Sequence, residues 1–259
     1  MLQEERFFRI RNLLETFTRV STDRVARDLN VSRETARRDL LDLENLGTLR
    51  RVHGGAVSIG PEPEAPLSVR LRSNPIEKRR IAKATLKLIK PGQTLFLDAG
   101  TTTAILAEEL TSVSGLTVVT NSITIALKLS AFNTTRTSEQ GSILLSGRVR
   151  SETQAVYGDI TIGDIHRYNA DLAILSPVGL DAKNGATSFE HHECEVARAM
   201  CAQAQRVIIM ADHSKIGQTS RASYISAAGI DTVITDSGVR ALPDFTALKR
   251  ASFQLVIAK

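Results

Sequence analysis

Tryptophan is absent from the 259 residues, cysteine occurs only at Cys194 and Cys201, and no run approaches the ~18 apolar residues of a membrane span. Each scarcity removes a class of protein. Two cysteines seven positions apart make no disulfide framework, and a chain of this length buries a core without covalent staples. They suit a reducing compartment, so the cytoplasm is expected. The opening MLQEERFFRIRN puts charges where a signal peptide needs an apolar stretch, which argues against secretion. Lysine is missing only locally. Residues 1 to 56 contain eleven arginines and no lysine, while all nine lysines lie from Lys78 onward.

That division says more than the total charge of +5, a weak pointer to nucleic acid by itself. Arginine's planar fork can make paired hydrogen bonds to phosphate or guanine, whereas lysine is a compact point charge. Nine acids in the first 56 residues leave a net +2, so any DNA surface there must come from the arrangement of the arginines.

The segment Val57 to Pro66, VSIGPEPEAP, holds three prolines and two glutamates without apolar periodicity and reads as a linker. We expect a small domain over 1–57, a linker over 58–74 and a larger domain over 75–259. In the first, Phe7, Ile10, Leu13, Leu14 and Phe17 recur at helical spacing over Gln3 to Phe17. Ser21 caps a second helix with Val25, Ala26 and Leu29 on its buried face, ending at Asn30. Ser32 caps a third, with Ala36, Leu40, Leu43 and Leu46 apolar and Gly47 as its stop. Two short helices around a tight turn, the second carrying Arg33, Arg37 and Arg38, match a helix-turn-helix. Thr48 to Ala56 reads as a two-stranded wing turned at Gly54-Gly55, with Arg50, Arg51 and His53 as its polar tips.

From Asn74 an α/β pattern begins. Asn74, Pro75 and Glu77 form a cap, first-turn proline and third-position glutamate, and Pro91-Gly92 closes that helix. Strands are expected at Thr94–Leu97, Thr117–Thr120, Ser142–Leu145, Leu172–Leu175, Val207–Met210, Thr232–Ile234 and Gln254–Ile257, with helices between. Such alternation implies a mostly parallel sheet covered on both faces, with ligands beyond the carboxyl ends of its strands. Four polar junctions stand there: Asp98-Ala99-Gly100-Thr101-Thr102-Thr103, Thr120-Asn121-Ser122, Ser146-Gly147-Arg148 and Asp212-His213-Ser214-Lys215. Backbone N–H groups, hydroxyls and a helix dipole at the first suit a phosphate or carboxylate. Arg148 and Lys215 add charge, and Asp98, Asn121 and Asp212 could read hydroxyls. Together they point to a small anionic, hydroxylated ligand.

The run VSRETARRDLLDLENLGTLRRVHGGA, residues 31 to 56, closely resembles the N-terminal signature of the DeoR family of bacterial transcriptional regulators. It matches in Val31-Ser32, Thr35, Arg37-Arg38-Asp39-Leu40, Leu43-Glu44, Gly47, Leu49, Arg51 and His53-Gly54-Gly55-Ala56. Ala36 departs from it, standing where the family usually carries Ile or Val, so looser packing is expected there. Glu77-Lys78 with Ile81-Ala82, Leu97 to Thr102, Val119 to Ser122, Gly147, Gly158, Asp171, Gly179, Gly185 and Asp212 with Lys215 look like the family's C-terminal sensor domain. Such domains are related in fold to ribose-5-phosphate isomerases and CoA transferases and bind phosphorylated sugars or polyols. Phe189 to Glu193, with Asp212 to Lys215, is similar to the glycerol-3-phosphate repressor subgroup.

The resemblance implies a winged helix-turn-helix repressor of a carbohydrate or polyol operon. Ser32, Arg33, Glu34, Thr35, Arg37, Arg38, Arg50, Arg51 and His53 would meet double-stranded operator DNA. Asp98, Gly100, Thr101, Thr102, Asn121, Ser122, Gly147, Arg148, Glu190, Asp212 and Lys215 would hold the effector. A homodimer or homotetramer is expected, with no cofactor and no membrane partner. His191, His192, Cys194 and His213 lack zinc-site spacing, and no metal is expected. An enzyme is not expected, although a sugar-phosphate isomerase with an accessory DNA-binding domain is the rival reading, and activation rather than repression is a further one.

Overall fold

The computed structural model describes all residues except Met1, Thr18, 59–63 and 134–140, and divides into two compact units, Met1–Glu64 and Ala65–Lys259. The middle of the proline-rich segment, residues 59–63, therefore lies outside the described residues.

The first unit contains α1 (Gln3–Phe17), β1 (Arg19–Ser21), α2 (Thr22–Leu29), α3 (Arg33–Asn45), β2 (Leu49–Val52) and β3 (Gly55–Ser58). Ser21 and Ser32 cap α2 and α3 as expected, accepting from Arg24 N at 3.1 Å and Thr35 N at 3.0 Å. Asn30 ends α2 in the left-handed conformation, which asparagine tolerates, leaving a short turn before α3. Ile10, Leu14, Val25, Leu29, Ala36, Leu40, Leu43 and Leu49 fill one core. Leu46 is a correction to the expected buried stripe. It is the C-cap of α3 and 62% exposed, because the helical face it would continue has already ended. The wing has a third strand that its residue pattern did not announce, β1, pairing antiparallel with β3.

The second unit begins with α4 (Leu67–Arg70), α5 (Pro75–Leu86), β4 (Thr94–Leu97), α6 (Thr101–Leu110), β5 (Thr117–Thr120), α7 (Ile123–Asn133) and β6 (Gly141–Leu144). A hairpin, β7 (Arg148–Arg150) and β8 (Ala155–Tyr157), precedes α8 (Asp159–Ile165), β9 (Ala170–Leu175), β10 (Gly179–Asp181), β11 (Gly185–Ser188) and α9 (His191–Ala202). Then follow β12 (Ala204–Met210), β13 (Ala222–Ile225), β14 (Thr232–Asp236), α10 (Phe245–Arg250) and β15 (Gln254–Ala258). The seven expected strands form one parallel sheet in the order β15-β14-β12-β9-β4-β5-β6. One face buries Ile81, Leu106, Leu110, Ile125 and Leu129 from α5, α6 and α7, and the other buries Ile165, Cys194, Met200 and Leu248 from α8, α9 and α10. α5 ends at Leu86 rather than at Pro91-Gly92, the chain continuing as tight turns.

The order places a topological switch beside β4. From β4 the chain runs outward to β5 and β6, then returns to lay β9 on the opposite flank of β4. Loops that leave two neighbouring strands in opposite directions open a crevice at their carboxyl ends. Here the crevice lies between the turn after Leu97 and the turn after Leu175.

Candidate functional site

In the first unit, α3 sorts its charges by face. Ala36, Asp39, Leu40 and Leu43 are buried, while Arg33, Glu34, Arg37 and Arg38 are exposed. Its acids past the first turn are engaged by the protein itself. Asp39, 2% exposed, is gripped by Arg6 of α1 through Nε at 2.6 Å and a terminal nitrogen at 2.9 Å. Asp42 accepts from Gln3 Nε2 at 3.1 Å, and Glu44 accepts from the backbone N of Arg51 at 2.7 Å. Among the described residues, Arg37, Arg38 and Arg50 have no ion-pair partner. Arg33 pairs with Asp23 at 2.8 Å, but both are well exposed, and such a pair is worth only ~0 to 1 kcal/mol, easily exchanged for phosphate. α3 thus presents Arg33, Arg37 and Arg38 outward while Asp39 is buried and Asp42 and Glu44 are tied to neighbouring groups, so its positive face comes from this arrangement and not from a net charge, the unit Met1–Glu64 holding eleven arginines against eleven acids.

A cleft of about 620 Å³ runs between α3 and the wing, lined by Arg33, Glu34, Arg37, Arg51 and His53. A second, of about 370 Å³, is lined by Ser32, Glu34, Thr35 and Arg38 together with Arg6 and Asp39. Arg50 is exposed on β2 and lines neither. Ser32 and Thr35 are already bonded to each other through their hydroxyls at 2.8 Å. Arg6 and Asp39 escaped the residue-by-residue reading. The available signal was an acid three residues after Ala36, in the buried stripe, where a carboxylate needs a partner.

In the second unit the expected ligand residues stand at the carboxyl ends of parallel strands. Gly100 caps α6, and Thr101, Thr102 and Thr103 are all buried. The Ala99 N–H donates to Asn121 Oδ1 at 2.8 Å and to Asp98 Oδ1 at 2.7 Å, tying the turns after β4 and β5 together. Thr120 Oγ1 donates to Leu97 O at 2.6 Å and accepts from Ser122 N at 3.0 Å, so the same turns are also bonded one layer below. A Cβ on Gly100 would stand 3.4 Å from Ser176 Cβ, which puts Ser176, overlooked in the sequence, across the switch-point crevice from the α6 N-terminus. Asp98, Gly100, Thr101, Thr102, Asn121 and Ser122 are therefore one assembled group.

The remaining candidates are placed differently. Asp212, after β12, is 2% exposed, and its Oδ1 accepts from Asn74 Nδ2 at 2.9 Å, Ser214 N at 3.0 Å and Ser214 Oγ at 2.5 Å. It caps the one-turn 3-10 helix His213–Lys215, which carries Lys215. Asn74, expected to cap α5 with its side chain, makes no such bond; its amide is committed to Asp212 instead. Gly147 has a packing duty: φ is +149°, and a Cβ would fall 2.1 Å from Thr161 Oγ1. Arg148 is exposed on β7, while Arg150, two residues on, reaches Glu190 at 3.2 Å and His192 Nε2 at 2.9 Å. Glu190 is thereby joined to the β7–β8 hairpin. His192 rests against the Tyr157 ring, and burial, with Arg150 adding, lowers its basicity. Burial, reinforced by Asp98, pushes the Cys201 thiol up to about 12, so it stays protonated at neutral pH and is no nucleophile. His213 is held by Asp236 at 3.0 Å, and among the described residues no group of three His, Cys, Asp or Glu could hold a metal ion.

Two family models match this chain: the DeoR-like helix-turn-helix domain over residues 6–62 and the DeoR C terminal sensor domain over residues 73–237. The HTH-type transcriptional repressor GlcR of Bacillus subtilis is 36% identical over 240 residues, 91% of this chain and 89% of that protein. The glycerol-3-phosphate regulon repressor of Escherichia coli is 32% identical over 238 residues, 92% of each. A solved ribose 5-phosphate isomerase A from Methanocaldococcus jannaschii aligns over 56% of this chain and 55% of that one, at 16% identity and a TM-score of 0.39. With both of its units matched and relatives spanning nearly its whole length, the chain belongs to the DeoR family of DNA-binding transcription regulators.

Proposed function

We propose that this protein represses a carbohydrate or polyol operon and leaves its operator when a phosphorylated sugar or polyol binds the second unit. The observation that carries the reading is the sorted charge of α3, with Arg33, Arg37 and Arg38 outward, Asp39 buried against Arg6, and Asp42 and Glu44 bonded to Gln3 and the Arg51 backbone. Arg33, Glu34 and Thr35 would meet base edges, Arg37 and Arg38 would divide between bases and phosphates, and Arg50, Arg51 and His53 would anchor the wing. The effector's phosphate would take the backbone N–H groups at the α6 N-terminus, with Lys215 contributing charge and Asp98, Asn121 and Asp212 reading hydroxyls. The names of the relatives, which include a glycerol-3-phosphate regulon repressor, support the ligand class and put glycerol 3-phosphate among the candidates. Action as a symmetric dimer or tetramer in the cytoplasm completes the reading.

The test has two arms. In the first, a duplex selected from a random pool is titrated at several salt concentrations. Arg38→Ala should weaken the selected and a scrambled duplex alike and lower the slope of log affinity against log salt by about 0.9, the loss of one phosphate contact. Unchanged affinity and slope would remove Arg38 from the interface. In the second arm, thermal unfolding is followed with a panel of sugar and polyol phosphates, and the stabilising compound is tested for release of the duplex. No stabilising compound, with Lys215→Ala releasing DNA like the parent, would end the sensor reading. The same panel should undergo no isomerisation; turnover at a metabolic rate would favour the enzyme.

A further inference from the structure

We infer that the half-buried Arg6–Asp39 pair is a positioning device for reading DNA, setting the roll of α3 against α1. This rests on the DNA-reading role given to α3. The pair joins residues 33 apart in sequence through two hydrogen bonds in a planar fork, with Arg6 only 16% and Asp39 only 2% exposed. An ion pair whose carboxylate is buried is a poor way to gain stability, since apolar side chains of similar volume often do as well or better at the same place. What the fork supplies is direction. The surrounding contacts of Ile10, Leu14, Ala36, Leu40 and Leu43 are apolar and non-directional, Ala36, one turn before Leu40, offers only a methyl group to resist a roll, and the further polar tie between α1 and α3, from Gln3 Nε2 to Asp42, is a single exposed hydrogen bond open to exchange with water.

The lever is short. On a helix with a side-chain radius of about 5 to 6 Å, a roll of about 20° carries a tip about 2 Å, enough to break a paired hydrogen bond to a base edge. Arg6 and Asp39 line the same cleft as Ser32, Glu34, Thr35 and Arg38, so the fork sits directly behind the residues whose aim it would hold. Arg6 and Asp39 touch no base in this scheme; they act through α3.

The full-length protein carrying Arg6→Met with Asp39→Leu removes both charges and keeps the volume apolar. Unfolding is followed by circular dichroism, and affinities are measured for the pool-selected duplex and for a scrambled duplex of equal length. The expected result is an unfolding midpoint at or above the parent's, an unchanged salt slope, and a selected-to-scrambled affinity ratio lowered at least tenfold. Arg6→Lys, which keeps the charge but not the fork, should lower the ratio about threefold. A parental ratio in either folded variant overturns the inference, as does a loss shared equally by both duplexes. A parent that itself fails to distinguish the duplexes would instead refute the reading of α3.

Discussion

Gly55→Ala is expected to abolish operator binding, although it adds one methyl group to a strand. The Cβ would stand 2.0 Å from Val20 O and 2.9 Å from Ser21 Cα, both backbone atoms of β1, so no side chain can rotate away. Relief requires β1 and β3 to part, with their Arg19↔Val57, Val20↔Ala56 and Ser21↔Gly55 pairings. Overpacking of this kind costs ~3 kcal/mol, a large share of a unit of some sixty residues. β3 also pairs with β2, which carries Arg50 and Arg51, so the wing loses its backing. Neighbouring Gly54 is a control with a different cause. It has open space around it but φ of +81°, so Gly54→Asn should cost under about 1 kcal/mol, asparagine being the other residue that accepts a left-handed turn. Duplex binding and a two-wavelength unfolding scan would check both. Near-parental binding by Gly55→Ala would mean that β1 yields more easily than its backbone contacts imply.

Those adjacent glycines mark where the sequence can be read and where it cannot. A Gly-Gly after a strand announces a turn, yet only the fold shows that the second glycine makes room for β1, a three-residue strand without a periodic signature. The same limit applies in the second unit. All seven parallel strands were legible because central parallel strands are continuous apolar runs. The short antiparallel strands β7, β8, β10, β11 and β13 were not, since three or four residues such as Arg148-Val149-Arg150 carry too little alternation to announce themselves. Of the candidate ligand residues, those after β4 and β5 were legible as a group because a parallel sheet brings successive strand ends to one edge. Which arginine of β7 meets Glu190, and which side chain Asn74 serves, depend on partners 40 and 138 residues away, beyond any local pattern.

Asp212→Ala is expected to have the largest effect in the second unit, through stability and ligand response together. Removing a buried acceptor that holds Asn74 Nδ2, the Ser214 N–H and the Ser214 hydroxyl leaves three donors to find other partners, of which the hydroxyl can rotate to water. At ~1 to 3 kcal/mol for each unsatisfied group, softened because Ser214 is exposed, a loss of about 3 kcal/mol is expected, or roughly 6 to 12 °C in midpoint for a unit of this size. The 3-10 turn that Asp212 caps also carries Lys215, so stabilisation by the responding sugar or polyol phosphate should be lost with it. Asp212→Asn separates the two roles. Three donors fall on Oδ1 and, among the described residues, none reaches Oδ2, so the amide oxygen should take the Oδ1 place and the fold should survive within about 1 kcal/mol. The amide NH2 then replaces Oδ2, putting a donor where a ligand hydroxyl would look for an acceptor. A folded Asp212→Asn protein should therefore bind its phosphorylated effector at least tenfold more weakly, measured by calorimetry. Parental affinity in that variant would leave Asp212 with the scaffold alone and remove it from the ligand-reading group.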